Sequence, residues 1–126
     1  MSNQIKNISP KKYDLERRTA VLGELVIKFC IAVTKDTINA SLVDQVVRSA
    51  TSVGANYMEA DGAGTKKEFQ HRMSLCKREA KETMHWIRML AVSNSQSAPA
   101  LRPLWKEAHE LVLIFSSIVN KSKHKN

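Results

Sequence analysis

The sequence predicts an all-α protein, an antiparallel up-down-up-down four-helix bundle in one domain, and three observations carry that prediction. Apolar residues recur at alternating spacings of three and four through four separate stretches, a pattern that buries one stripe of each helix against its neighbours. Four glycines and three prolines in 126 residues leave few turns, and hydrophobic residues make up 43% of the chain while aromatics make up only 6%. At this length there is enough chain for one real core and too little for two.

Residues 1–12 read as a polar, flexible lead-in. The first helix begins between Pro10, which Ser9 would cap, and Asp14. Its seam is Leu15, Thr19, Leu22, Val26, Phe29 and Val33, and it should end near Thr34. Residues 35–40 are a short polar connection, with Asn39, or Ser41 with Asp44, as the cap of the second helix.

The second helix has two adjacent seams. One is Leu42, Val46, Ser49, Val53, Asn56 and Ala60; beside it run Val43, Val47, Ala50, Gly54 and Tyr57. So wide an apolar arc implies neighbours on two sides, and the small residues from Ser49 to Ala55 would let another backbone come close. The break at 61–64 offers glycines suited to a left-handed C-terminal cap, followed by Thr65 and Glu68 as a capping box.

The third helix carries the seam Phe69, Met73, Cys76, Ala80, Thr83, Ile87 and Leu90. At about 100° per residue, Lys67, His71, Ser74, Arg78, Lys81, His85 and Arg88 fall opposite it, so one helix has a dry face and a basic face. Residues 93–99 form the longest turn-like segment. Pro103 must then lie near the start of the fourth helix, since an interior proline costs about 3 kcal/mol or more. Leu101, Leu104, Ala108, Leu111, Phe115 and Ile118 give the last seam, broadened by Trp105, Val112 and Val119, and residues 120–126 read as a frayed tail.

Lysine and arginine exceed aspartate and glutamate by 20 to 12, a net charge of +8 that attracts nucleic acid or an anionic surface without specifying sequence. No apolar run approaches the length of a membrane span and the N-terminal segment lacks the apolar core of a signal peptide, so a cytoplasmic location without membrane association is expected. Cys30 and Cys76 both sit on apolar faces and read as buried free thiols.

Three motifs resemble the four-helix-bundle proteins encoded in intervening sequences of bacterial large-subunit (23S) rRNA genes. They are YDLERRT at 13–19, RSATSVGANYMEA at 48–60, and KEF at 67–69 followed by KREAKETMHWIRML at 77–90. The resemblance spans residues 13–90 and extends loosely to Val119. It implies a ring-shaped homopentamer of antiparallel bundles without an established enzymatic activity. That family is distantly similar to the accessory protein of diversity-generating retroelements, a basic pentameric bundle that binds nucleic acid and a reverse transcriptase; no motif here can be assigned to the reverse-transcriptase contact. Leu75, Trp86 and Met89 give the third helix more apolar surface than one seam needs, which fits either a subunit interface or a wide intramolecular core.

Arg48, Asn56, Glu59, Glu79 and Glu82 are polar groups on or beside the buried seams of the central hairpin. They read as an ion-pair and hydrogen-bond network that fixes helix register, with a ligand site as the competing explanation. Glu68 with His71 and Glu82 with His85 each match the Glu-x-x-His pair of di-iron bundles. Such sites take one pair from each of two helices, facing inward, whereas both pairs here share a helix and both histidines oppose its seam. His109 reads as a surface histidine. No Gly-rich phosphate loop, nucleophile elbow or Cys/His cluster is present, so no enzyme activity, cofactor or metal is expected.

Two functions follow. In the first, an oligomer binds structured RNA, or DNA, through phosphates at Lys67, His71, Arg78, Lys81 and Arg88, with Lys66, Lys77, Arg17 and Arg18 as extensions and the histidines adding charge toward pH 6. The lack of aromatics within that stripe argues against base stacking. In the second, the bundle is a protein–protein adaptor with no nucleic-acid role.

Overall fold

The computed structural model describes residues 14–124 as four α-helices: α1 (Leu15–Ile31), α2 (Thr37–Asp61), α3 (Lys66–Ser93) and α4 (Ala98–His124). A single 3-10 turn, Ser95–Ser97, lies between the last two. The expected lead-in at residues 1–12 falls outside the described residues.

Contacts between the helices fix their directions. Gly23 of α1 faces Thr51 and Gly54 of α2 faces Thr19; Arg48 of α2 reaches Glu79 and Glu82 of α3, while Asn56 meets Arg72. Gln70 of α3 bonds Ser122 of α4, and Ile87 shares a hollow with Leu101. In each pair one index rises as the other falls, so successive helices are antiparallel. Each helix packs chiefly on the next in sequence, and α4 returns to α1 with a thinner contact.

The predicted seams form the core. Leu22, Val46, Val53, Met73, Ala80, Leu111 and Phe115 are sealed from solvent, and of the α3 seam only Phe69 is partly exposed. The seam hydroxyls are satisfied inside: Thr83 donates to Ser49 Oγ at 3.0 Å or to Glu79 O at 2.8 Å, and Thr19 donates to Leu15 O. Both cysteines are free, Cys76 buried as expected and Cys30 only partly so.

Besides the early stop of α1, at Ile31 rather than near Thr34, which leaves Val33 beyond its seam, helix ends depart from expectation in four places. First, α2 starts at Thr37, capped by Asp36, whose carboxylate accepts from Asn39 N–H at 2.8 Å. Asn39, expected as a cap, is instead buried within the first turn and joins two loops, donating to Thr34 O and accepting from Ser93 Oγ and Asn94 Nδ2. Second, Gly62 has φ −97°, and no described glycine is left-handed. The helix unwinds right-handedly instead, through Gly62 N–H to Met58 O and Ala63 N–H to Ala60 O, both 3.2 Å.

Third, the capping box forms with a shifted return bond: Thr65 Oγ1 accepts from Glu68 N–H at 3.0 Å, while the Glu68 carboxylate accepts from Gly64 N–H at 2.9 Å. Fourth, α3 and α4 are so long that the expected loop at 93–99 shrinks to Asn94 and the 3-10 turn, and α4 runs on through the expected tail to His124. Pro103 lies in the second turn of α4 on its exposed side, where the carbonyl it leaves unpaired can meet water.

Candidate nucleic-acid interface

Lys67, His71, Arg78, Lys81 and Arg88 are all exposed along one side of α3, as are Ser74 and His85 between them. At 1.5 Å per residue the row from Lys67 to Arg88 runs about 30 Å. Among the described residues none of these cations lies within 4 Å of a carboxylate; the ion pairs there are made by Arg18 and Arg48. An unneutralised row attracts polyanions more strongly than the same residues in salt bridges would.

Two extensions expected from sequence differ in kind. Lys66 is exposed beside Lys67 and, with Gln70 and Lys123 of α4, frames a shallow hollow of about 410 Å³. Arg18 is not part of any free basic surface. Its Nε and Nη2 donate to Glu107 at 2.9 and 2.8 Å and Nη2 also reaches Glu110 at 2.7 Å, which ties α1 to α4. The hydrogen bond to Glu107 raises its pKa beyond the ordinary arginine value, against the opposing effect of burial.

Of the five polar groups expected as one network, three come together. Arg48 donates to Glu82 at 2.7 Å and to Glu79 at 3.2 Å. Glu79 is 7% exposed, and a carboxylate that deep needs a counter-charge. Asn56 belongs to a separate link, donating to Ser52 O and accepting from Arg72 at 3.2 Å. Glu59 is exposed on α2 and joins neither link among the described residues.

The histidines of the two Glu-x-x-His pairs point to solvent, and their glutamates are held elsewhere, Glu68 by Gly64 N–H and Glu82 by Arg48. Among the described residues no three His, Cys, Asp or Glu side chains converge as a metal site.

The basic surface extends beyond the α3 stripe onto α4. Arg102 and Lys106 are exposed and line, with Arg88 of α3, a hollow of about 460 Å³ whose apolar lining includes Leu101, Ala91 and Trp105. His109 stacks on Trp105 with ring centres 5.2 Å apart and planes 27° from parallel. The stripe on α3 is therefore one half of a basic face shared with α4, and that face does contain an aromatic. In the sequence Trp105 only broadens the apolar seam of α4, and its cationic neighbours are brought to Arg88 only by the packing of the two helices.

The apolar residues left exposed are mainly elsewhere: Leu25, Ile27 and Ile31 on α1, Leu113 on α4, and Ile38, Met58 and Val92 near helix ends. Trp86, expected as surplus on α3, packs against the core, with its indole N–H buried and lacking a hydrogen-bond partner among the described residues. Among the described residues no helix is long and apolar enough to cross a membrane.

The model of the 23S rRNA-intervening sequence protein family matches residues 11–117. A crystal structure of a protein of unknown function from the S23 ribosomal protein family, from Bacteroides thetaiotaomicron VPI-5482, is similar with a TM-score of 0.77 at 20% identity, covering 87% of this chain and 98% of that one. At that identity the likeness concerns the fold. No curated protein matches the chain.

Proposed function

This chain belongs to the 23S rRNA-intervening sequence protein family, and from that premise we propose that it is a non-enzymatic cytoplasmic protein that binds structured RNA through phosphate contacts. The observation that carries the proposal is the row of exposed cations on α3, Lys67, Arg78, Lys81 and Arg88 with His71 among them, none neutralised by a carboxylate among the described residues. Arg102 and Lys106 widen it on α4. Such a face neutralises phosphates and releases their counterions, which gives affinity that falls with salt and depends little on sequence.

The protein works as a ring-shaped homopentamer in this proposal, so that five weak faces act together. Support comes from the exposed apolar side chains of α1 and from the hollow of about 430 Å³ between α1 and α2, where exposed Ile27 and Met58 flank Ala20, Gly23 and Gly54. The same hollow favours a second function, an adaptor that seats an apolar segment of another protein. Charge reversal separates the two. Arg78→Glu with Lys81→Glu should weaken RNA binding about tenfold or more without changing thermal unfolding, since both side chains are exposed. Unchanged RNA affinity would remove this face from the function.

A further inference from the structure

On the premise that the basic face binds RNA, we propose that the hollow between α3 and α4 receives one unpaired nucleotide, its base against Trp105 and its phosphates at Arg88, Arg102 and Lys106. Three like charges ring one cleft with no carboxylate within 4 Å of them among the described residues, an arrangement that an anion stabilises and that a neutral ligand does not. The lining inside that ring is apolar: Ile87 and Leu101 are each 2% exposed, and Ala91, Ala98 and the half-buried Trp105 complete it. An occupant that satisfies both features has a flat apolar body and an adjacent negative charge, which describes a nucleotide.

The indole is held in place for stacking. It packs against the core and His109 stacks on it without lining the hollow, so the ring is backed from within its own helix. At the far end of the same basic face, Lys66, Lys67 and Lys123 surround Gln70 with no aromatic or aliphatic wall among the described residues, a setting for phosphate alone. A base inside a duplex cannot reach the hollow, so the occupant comes from a bulge, a loop or an end.

The test uses two RNAs of equal length at one salt concentration, a perfect duplex and the same duplex carrying a single-nucleotide bulge. With the full-length protein, the bulged RNA should bind roughly tenfold tighter. In a Trp86→Phe background, where Trp105 is the remaining tryptophan, it should quench the fluorescence while the duplex should not. Trp105→Leu, which keeps an apolar side chain at the site, should abolish the preference and leave duplex affinity within about twofold.

Equal binding of both RNAs by the parent protein, with no quenching in the Trp86→Phe background, overturns the nucleotide site and leaves the phosphate-binding function standing. Persistence of the preference in a folded Trp105→Leu protein also overturns it. Binding of neither RNA at low salt overturns the phosphate-binding function and the site together.

Discussion

Arg18 of α1 and Glu107 of α4 are joined by two parallel hydrogen bonds of 2.9 and 2.8 Å. This is the fork-to-fork geometry in which a guanidinium holds a carboxylate most firmly. Helices α1 and α4 otherwise meet sparingly, so the pair closes the bundle on its thinnest side. It also removes Arg18 from the surface charge available to a polyanion.

Arg18→Ala should therefore destabilise the protein by about 1–3 kcal/mol, because it leaves a partly buried Glu107 without its counter-charge. RNA affinity should be unchanged. Chemical denaturation and a binding titration on the same preparation separate the two effects; a loss of affinity at full stability would return Arg18 to the basic face.

Asn39→Leu should cost about 2–3 kcal/mol. The substitution deprives Thr34 O of a donor and Ser93 Oγ and Asn94 Nδ2 of a common acceptor at the end of the bundle. Hydrogen exchange should show the largest loss of protection at the start of α2 and the end of α3. A variant as stable as the parent would mean that this knot is replaced by water at no cost.

Gly54→Ala should be tolerated, with a gain of about 0.5–1 kcal/mol from helix propensity. An added Cβ would meet the Thr19 backbone and hydroxyl at 3.5 Å, an ordinary contact distance. The close approach of α1 and α2 thus permits a methyl group within one chain. A lower melting temperature would mean that something besides Thr19 fills that space, as a second copy seated in the α1/α2 hollow would.

Stability should fall as pH rises above 9. Burial pushes the Cys76 thiol from 9.0 up to about 12 and the Cys30 thiol from 9.0 up to about 11. Both groups keep their protons in the folded state after the unfolded chain has lost them. The stabilisation is complete below pH 9 and is lost as pH climbs through the folded values, from 9 to about 11 for Cys30 and on to about 12 for Cys76. Denaturation midpoints at pH 8 and pH 10.5 should differ more for the parent than for Cys30→Ala with Cys76→Ala; an identical pH slope in both would assign the effect to Tyr57, whose pKa burial also raises.

The fold was legible because periodicity is a one-dimensional property. Met73, Cys76, Ala80, Thr83, Ile87 and Leu90 must be buried on one stripe whatever lies opposite, and they are. The Arg48 link to Glu79 and Glu82 was legible for the same reason, since all three sit at the edges of seams that face each other in an antiparallel hairpin.

Pairings set by the angle and register between helices were not. Arg18 and Glu107 lie 89 positions apart, and nothing local distinguishes Arg18 from Arg17. Trp105 could be placed on α4 by spacing, but its proximity to Arg88 exists only once α3 and α4 have packed. Caps were misplaced where several polar residues compete: 35–41 contains Asp36, Thr37, Asn39 and Ser41, and the first of them wins because Asn39 has a buried role of its own.

The most direct test of phosphate binding by this face is the salt dependence of affinity for a structured RNA, measured on the parent and on Arg78→Glu with Lys81→Glu. If the face contacts about three to five phosphates, log affinity against log salt should slope at roughly −2.7 to −4.5, and the double reversal should flatten that slope by about 2. A parent slope near zero, or a slope that the double reversal leaves unchanged, would contradict phosphate binding by α3.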